Sequence, residues 1–131
     1  QGRKVLLAED NELNMEIAEF LLENAGILVT KAYNGKEALE RFEQSEMDEF
    51  DAILMDVMMP VMDGYEATKA IRALNRKDAK KIPILAMTAN AFAEDRRKAL
   101  IAGMNEHLTK PLESEKVLRA LAACCAKRSY E

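Results

Sequence analysis

The 131-residue chain reads as an α/β protein: five strand–helix units in succession, wound into one parallel five-stranded sheet with helices on both faces. Three observations carry that expectation. Short apolar runs of strand length alternate with stretches whose apolar residues recur every three or four positions. The runs stop at polar residues or at Gly and Pro, as strands and turns do. No internal repeat, linker or low-complexity segment interrupts the alternation, so residues 1–131 are taken as one domain.

Lys4–Ala8 is a buried strand stopped by Glu9, Asp10 and Asn11. From Glu12 the period changes, with Leu13, Ile17, Phe20 and Leu21 at helical spacing and Ala25-Gly26 as the stop. Ile27–Ala32 reads as the second strand and Asn34-Gly35 as a turn; Ala38, Leu39 and Phe42 mark the second helix. Phe50–Met55 is the third strand, ending at Asp56, and Pro60 and Gly64 break the loop that follows. Ala67, Ala70, Ile71 and Leu74 face one side of a third helix. Ile82–Met87 is the fourth strand, with Pro83 acceptable only near its start. A weakly amphipathic helix runs from about Ala91 to Ala102 and stops at Gly103. Glu106–Thr109 is a short fifth strand, and Val117, Leu118 and Leu121 mark the last helix.

Composition excludes several classes. Hydrophobic residues make up 49% and charged residues 32%, a globular balance rather than a disordered one. Two adjacent cysteines, Cys124 and Cys125, exclude a disulfide framework and fit a reducing, cytoplasmic setting. One histidine and no Cys-x-x-Cys exclude the common zinc sites. No apolar run approaches the roughly 20 residues of a membrane span, so no membrane contact by this domain is expected. The net charge of −4 divides into −11 over residues 1–66 and +7 over residues 67–131. The bases Lys80-Lys81 and Arg96-Arg97-Lys98 lie among acids without interleaved aromatics, which reads as solvated surface rather than a nucleic-acid site. A start at Gln1 suggests a piece of something longer, and the five units leave no length for an output domain.

In open parallel sheets ligands bind beyond the carboxyl ends of the strands. Here those ends carry Glu9 and Asp10, Asp56, Thr88, and Lys110-Pro111. If the first and third strands are neighbours, three carboxylates converge. Two unit charges ~4 Å apart repel by ~4 kcal/mol at an effective dielectric near 20. Such a group asks for a cation, and hard oxygen ligands favour Mg²⁺. Any one of these acids alone would be an ordinary strand end or helix cap.

The wording of these segments resembles one family. Val5–Asn11 is similar to the opening of the receiver domain of two-component response regulators, and so is Ile53–Pro60 with Met62-Asp63-Gly64 closing the same loop. Met87-Thr88-Ala89 and Leu108–Pro111 match the last two signatures. Ala8–Asn14 and Gly103-Met104-Asn105 most resemble receivers of hybrid sensor histidine kinases. The resemblance implies a flavodoxin-like fold with strand order 2-1-3-4-5. It makes Asp56 the acceptor of a phosphoryl group from phosphohistidine. Asp10 would bind Mg²⁺ directly and Glu9 through water, with Asp56 and the Met58 carbonyl as further oxygen ligands. Lys110 and the Thr88 hydroxyl would hold phosphoryl oxygens, with a cis Lys110–Pro111 bond. The implied partner is a histidine kinase or histidine phosphotransfer domain, and the implied role is signalling rather than enzymatic turnover. Phosphorylation would switch the surface of the fourth predicted helix, fifth strand and last helix.

One position departs from the family: His107 stands where receivers usually place Tyr or Phe as a rotameric switch; the plain alternative is a partly exposed strand histidine. Met58 and Asn90 occupy positions that tune phosphoryl lifetime in the family, and Ala89 leaves the acceptor accessible. Met58, Met59 and Met62 are candidates for a partner-facing ridge, the cysteines for packing. A haloacid-dehalogenase-type phosphatase would need a second acid where Met58 stands, and a dinucleotide site a glycine-rich first loop. The serious rival is a phosphorylation-independent interaction module, which would normally have lost an acid, the threonine or the lysine.

Overall fold

A computed structural model describes residues 3–89 and 93–128; Asn90 lies outside the described residues. Five strands, β1 (Lys4–Ala8), β2 (Leu28–Ala32), β3 (Ala52–Asp56), β4 (Ile84–Thr88) and β5 (Glu106–Thr109), form one parallel sheet in the order β2-β1-β3-β4-β5. The helices are α1 (Glu12–Asn24), α2 (Gly35–Gln44), α3 (Gly64–Arg72), α4 (Lys77–Lys81), α5 (Ala93–Ala102) and α6 (Ser114–Arg128).

Strand alternation divides the core into two layers. Leu6, Ala8, Ile53, Met55, Ile84 and Ala86 face one side, where they meet Phe42, Ala67, Ile71, Ala79 and Ala99 from α2, α3, α4 and α5. Val5, Leu7, Ala52, Leu54, Leu85 and Met87 face the other, against Met15, Ala18 and Leu22 of α1 and Val117 and Leu121 of α6. The central strands β3 and β4 are buried along their whole length, which is why they read as continuous apolar runs.

Three local expectations change. In α1 the buried stripe is Met15, Ala18 and Leu22, while Leu13, Ile17 and Phe20 are 65%, 50% and 69% exposed. Both stripes have helical period, and periodicity alone does not choose between them. Asn34 is the N-cap of α2 rather than half of a turn; its side chain accepts from the Glu37 amide at 2.8 Å. The one-turn helix α4 has too few residues to show a period. It is held by a buried ion pair, Arg76–Asp78 at 2.7 Å. Arg76 also donates to the carbonyls of Phe42, Glu43, Ser45 and Glu46, gathering the acceptors that α2 leaves at its C-terminal end. Its guanidinium stacks 4.7 Å over the Phe42 ring.

Two glycines are set by close approach. A Cβ on Gly64 would come within 2.3 Å of the Asp56 carbonyl oxygen, and one on Gly35 within 2.3 Å of the Met62 carbonyl oxygen. Gly64 therefore lets α3 start directly against the end of β3, capped by Asp63 in a reciprocal box with Glu66. Between them the loop turns at Val61, whose φ is +70°, with the Met62 amide donating to the Pro60 carbonyl at 2.7 Å.

Candidate functional site

The sheet ladder places the candidate residues. Ala8 pairs with Met55, so Glu9 comes beside Asp56. Alternation aims Glu9 with Val5 and Leu7, and Asp56 with Ala52 and Leu54, toward the same face. Backbone bonds continue the ladder past the strand ends: the Glu9 amide donates to the Ala32 carbonyl at 3.0 Å, Val57 to Met87 at 3.1 Å and Lys110 to Thr88 at 2.8 Å. Glu9, Asp56 and Lys110 thus sit on backbone as ordered as the sheet itself.

Glu9 is 2% and Asp56 3% exposed. The Lys110 ammonium lies between them, donating to Asp56 Oδ2 at 2.8 Å and contacting Glu9 Oε1 at 2.9 Å. The Met58 amide donates to Asp56 Oδ1 at 3.2 Å, and the Asn11 amide to Glu9 Oε2 at 3.1 Å. Asn11 also caps α1, accepting from the Asn14 amide. Asp10 is exposed, and carboxylate oxygens of Glu9, Asp10 and Asp56 lie within 4.8 Å of one another. Thr88 is buried at the end of β4, one residue beyond the partner of Asp56. The Lys110–Pro111 bond is cis.

Electrostatics follow from this crowding. Burial raises Glu9 above the usual carboxylate range; Lys110 draws it back down, and Asp56 pushes it up. Burial alone would lower Lys110, but Asp56 and Glu9 outweigh it and hold the ammonium above the ordinary lysine value. One lysine against three carboxylates leaves an excess of negative charge, in a donor set made wholly of oxygen. Such a set fits a hard divalent cation with room for water.

Glu9, Asp10, Asp56 and Lys110 therefore converge; Met58 reaches Asp56 through its amide, and Thr88 stands at the end of the neighbouring strand. Of the three loop methionines, Met58 is 77% exposed, while Met59 and Met62 are partly buried and pack against the core. Cys124 packs on the α1/α6 side of the core, and Cys125 approaches the Asp51 carbonyl at 3.9 Å. Two features were not anticipated. The exposed stripe Leu13-Ile17-Phe20 starts beside the site, where Ile17 lines a small cavity of about 50 Å³ with Glu9, Asn14, Lys110, Pro111 and Leu112. His107 accepts from Arg96 of α5. Among the described residues, no helix is long and apolar enough to cross a membrane.

A family model described as the response regulator receiver domain matches residues 5–122. Hybrid signal transduction histidine kinase I of Dictyostelium discoideum is 41% identical over 84% of this chain, a match spanning 6% of that much longer protein. Sensor protein GacS of Pseudomonas syringae is 38% identical over 90% of this chain and 13% of its own length. Among solved structures, the receiver domain of a sensor histidine kinase from Pseudomonas aeruginosa, with a magnesium ion coordinated in its active site cleft, superposes with a TM-score of 0.86. That pair shares 40% identity over 96% of this chain and 99% of the other. Chemotaxis protein CheY4 of Vibrio cholerae gives 0.85 at 32% identity over 95% and 99%.

Proposed function

The chain belongs to the response regulator receiver family of two-component signalling, and from that premise we propose that Asp56 is its phosphoacceptor. The observation that carries this reading is the Lys110 ammonium bridging Asp56 and Glu9, with a third acid beside them. A carboxylate oxygen of Asp56 bonds to phosphorus as the bond from phosphorus to the donor's imidazole nitrogen breaks, its electron pair returning to the ring. Little covalent assistance is needed, so positioning and charge neutralisation dominate. The ladder bonds on either side of Asp56 hold the nucleophile, and Lys110, already 2.8 Å from it, exchanges a carboxylate contact for a phosphoryl oxygen over a short distance. The Thr88 hydroxyl takes a second oxygen. Asp10, Asp56 and the Met58 carbonyl would hold Mg²⁺ directly and Glu9 through water, and the ion would supply neutralisation of negative charge on the transferring group.

Phosphorylation replaces one negative charge with about −1.5 to −2 and adds three acceptor oxygens. The added demand for donors draws on Thr88 and shifts the α5–β5–α6 surface. The donor is a histidine kinase or histidine phosphotransfer domain in the cytoplasm. A protein donor fits the exposed apolar stripe of α1 at the mouth of the site, which a small phosphodonor would not require. Within a longer hybrid kinase the domain would serve as an internal relay station.

Incubation with acetyl phosphate and Mg²⁺ tests the acceptor assignment by intact mass. The expected result is a single phosphoryl addition that Asp56→Asn abolishes. No addition, from acetyl phosphate or from a phosphohistidine protein, would sink it and favour a phosphorylation-independent interaction module.

A further inference from the structure

We infer that Arg96 and His107 form a latch between α5 and β5 that closes only when the imidazole is uncharged. The Arg96 Nε–H donates to His107 Nε2 at 3.1 Å. A guanidinium has donors only, so Nε2 must present its lone pair, and the ring proton of the neutral imidazole sits on Nδ1. Protonation turns Nε2 into a second donor facing a permanent cation, so the bond is lost and repulsion replaces it.

The surrounding charges give the protonated ring another place to go. Glu106, the preceding residue of β5, holds a carboxylate oxygen 3.9 Å from Nδ1 and accepts from the His107 amide at 3.1 Å. On the α6 side, His107 also borders a groove of about 390 Å³ whose charged residues are Glu106, Glu113, Lys116 and Arg119. Lys116 is paired to Glu113 at 2.8 Å and Arg119 to Glu115 at 2.6 Å, which leaves Glu106 as the nearest anion to the ring. Arg96 and Glu106 are the charged residues lining the smaller cavity, about 180 Å³, between α5 and β5. Asp95 of α5 acts on Tyr65 of α3 instead. Gaining a proton therefore exchanges a bond between elements for an attraction within β5.

The exchange matters because α5 is weakly seated. Among its described side chains only Ala99 and Ala102 are buried, while Leu100 and Ile101 are 66% and 74% exposed. Two alanines bury little apolar area, so one hydrogen bond is a large share of what holds this helix. Its C-terminal end is pinned separately: Arg72 donates to the Gly103 carbonyl at 3.0 and 2.8 Å and to Asn105 Oδ1 at 2.8 Å. Release at Arg96 lets the helix swing about that pinned end. The latch needs no phosphoryl group at Asp56 to open, only a proton on the imidazole.

His107 is the one histidine in the chain, which makes the test direct. Imidazole ¹⁵N spectra and backbone amide spectra are recorded from pH 5 to 8 on the unphosphorylated protein without Mg²⁺. The expected results are an Nδ1–H tautomer at high pH and amide shifts along residues 95–102 that move in step with the imidazole. In Arg96→Ala those amides no longer follow the ring, while the fold, monitored by the β3 and β4 amides, is unchanged. His107→Phe removes the pH dependence of α5. An Nε2–H tautomer at high pH, or α5 amides that titrate identically in wild type and Arg96→Ala, overturns the proposal.

Discussion

Replacing Arg76 by Met removes a guanidinium while keeping much of its aliphatic volume. The variant loses the pair with Asp78, bonds to four carbonyls in and after α2, and the stacking on Phe42. The Asp78 side chain is 3% exposed, so its carboxylate is left buried with the Asp48 amide at 2.9 Å as its remaining close donor outside its own helix. Breaking such a pair costs about 3–5 kcal/mol, most of it the stranded charge rather than the worth of the pair itself. With an unfolding entropy near 0.28 kcal/mol per kelvin for 131 residues, Tm should fall by about 11–18 °C. There is no Trp, so urea unfolding at pH 7 is followed by far-UV circular dichroism. The double variant Arg76→Met/Asp78→Leu should recover at least about 1 kcal/mol of the loss, because the uncompensated charge has gone. Burial pushes Asp78 up, but the Arg76 bonds and the Asp48 amide outweigh it and hold the carboxyl below the ordinary aspartate range. A depressed folded pKa means stability present above about pH 3.9 and lost as pH falls through the folded value. Asp78→Asn should therefore show a shallower acid limb than wild type below pH 4. A cost for Arg76→Met under about 1 kcal/mol, or strict additivity with Asp78→Leu, would refute this account of the clip.

Three further outcomes are expected. Phe20→Glu, on the exposed stripe of α1, should slow phosphorylation by a phosphohistidine protein by about tenfold, as roughly 1.4 kcal/mol of lost contact would. Rates with acetyl phosphate should stay within twofold; equal loss with both donors would show that the stripe is not a docking surface. Val61→Asn should stabilise the fold by ~1 kcal/mol in urea titrations, because a β-branched residue at φ +70° carries strain that Asn tolerates. Mg²⁺ at 100 times its Kd should stabilise the wild type by about 2.7 kcal/mol; Asp10→Asn at the same concentration should show little of that gain in thermal denaturation.

The sequence by itself determined the element types and the residues at the strand ends. Continuous burial of β3 and β4 writes itself into sequence as unbroken apolar runs, and Lys4–Ala8 and Glu106–Thr109 match the observed strands residue for residue. Glu9, Asp10, Asp56, Thr88 and Lys110 were legible because each directly ends or follows such a run. Tertiary structure decided what depends on which surfaces meet. Leu13-Ile17-Phe20 and Met15-Ala18-Leu22 have the same period, and only packing against the sheet shows which is buried. Arg76 reaches carbonyls thirty or more positions away, and Arg96 reaches His107 across eleven. No local pattern records such partners, since the fold brings together side chains whose separation along the chain is set by crossovers. The convergence of three acids around Lys110 follows the same rule: the sequence supplied the charges, and the order β2-β1-β3-β4-β5 put β1 beside β3.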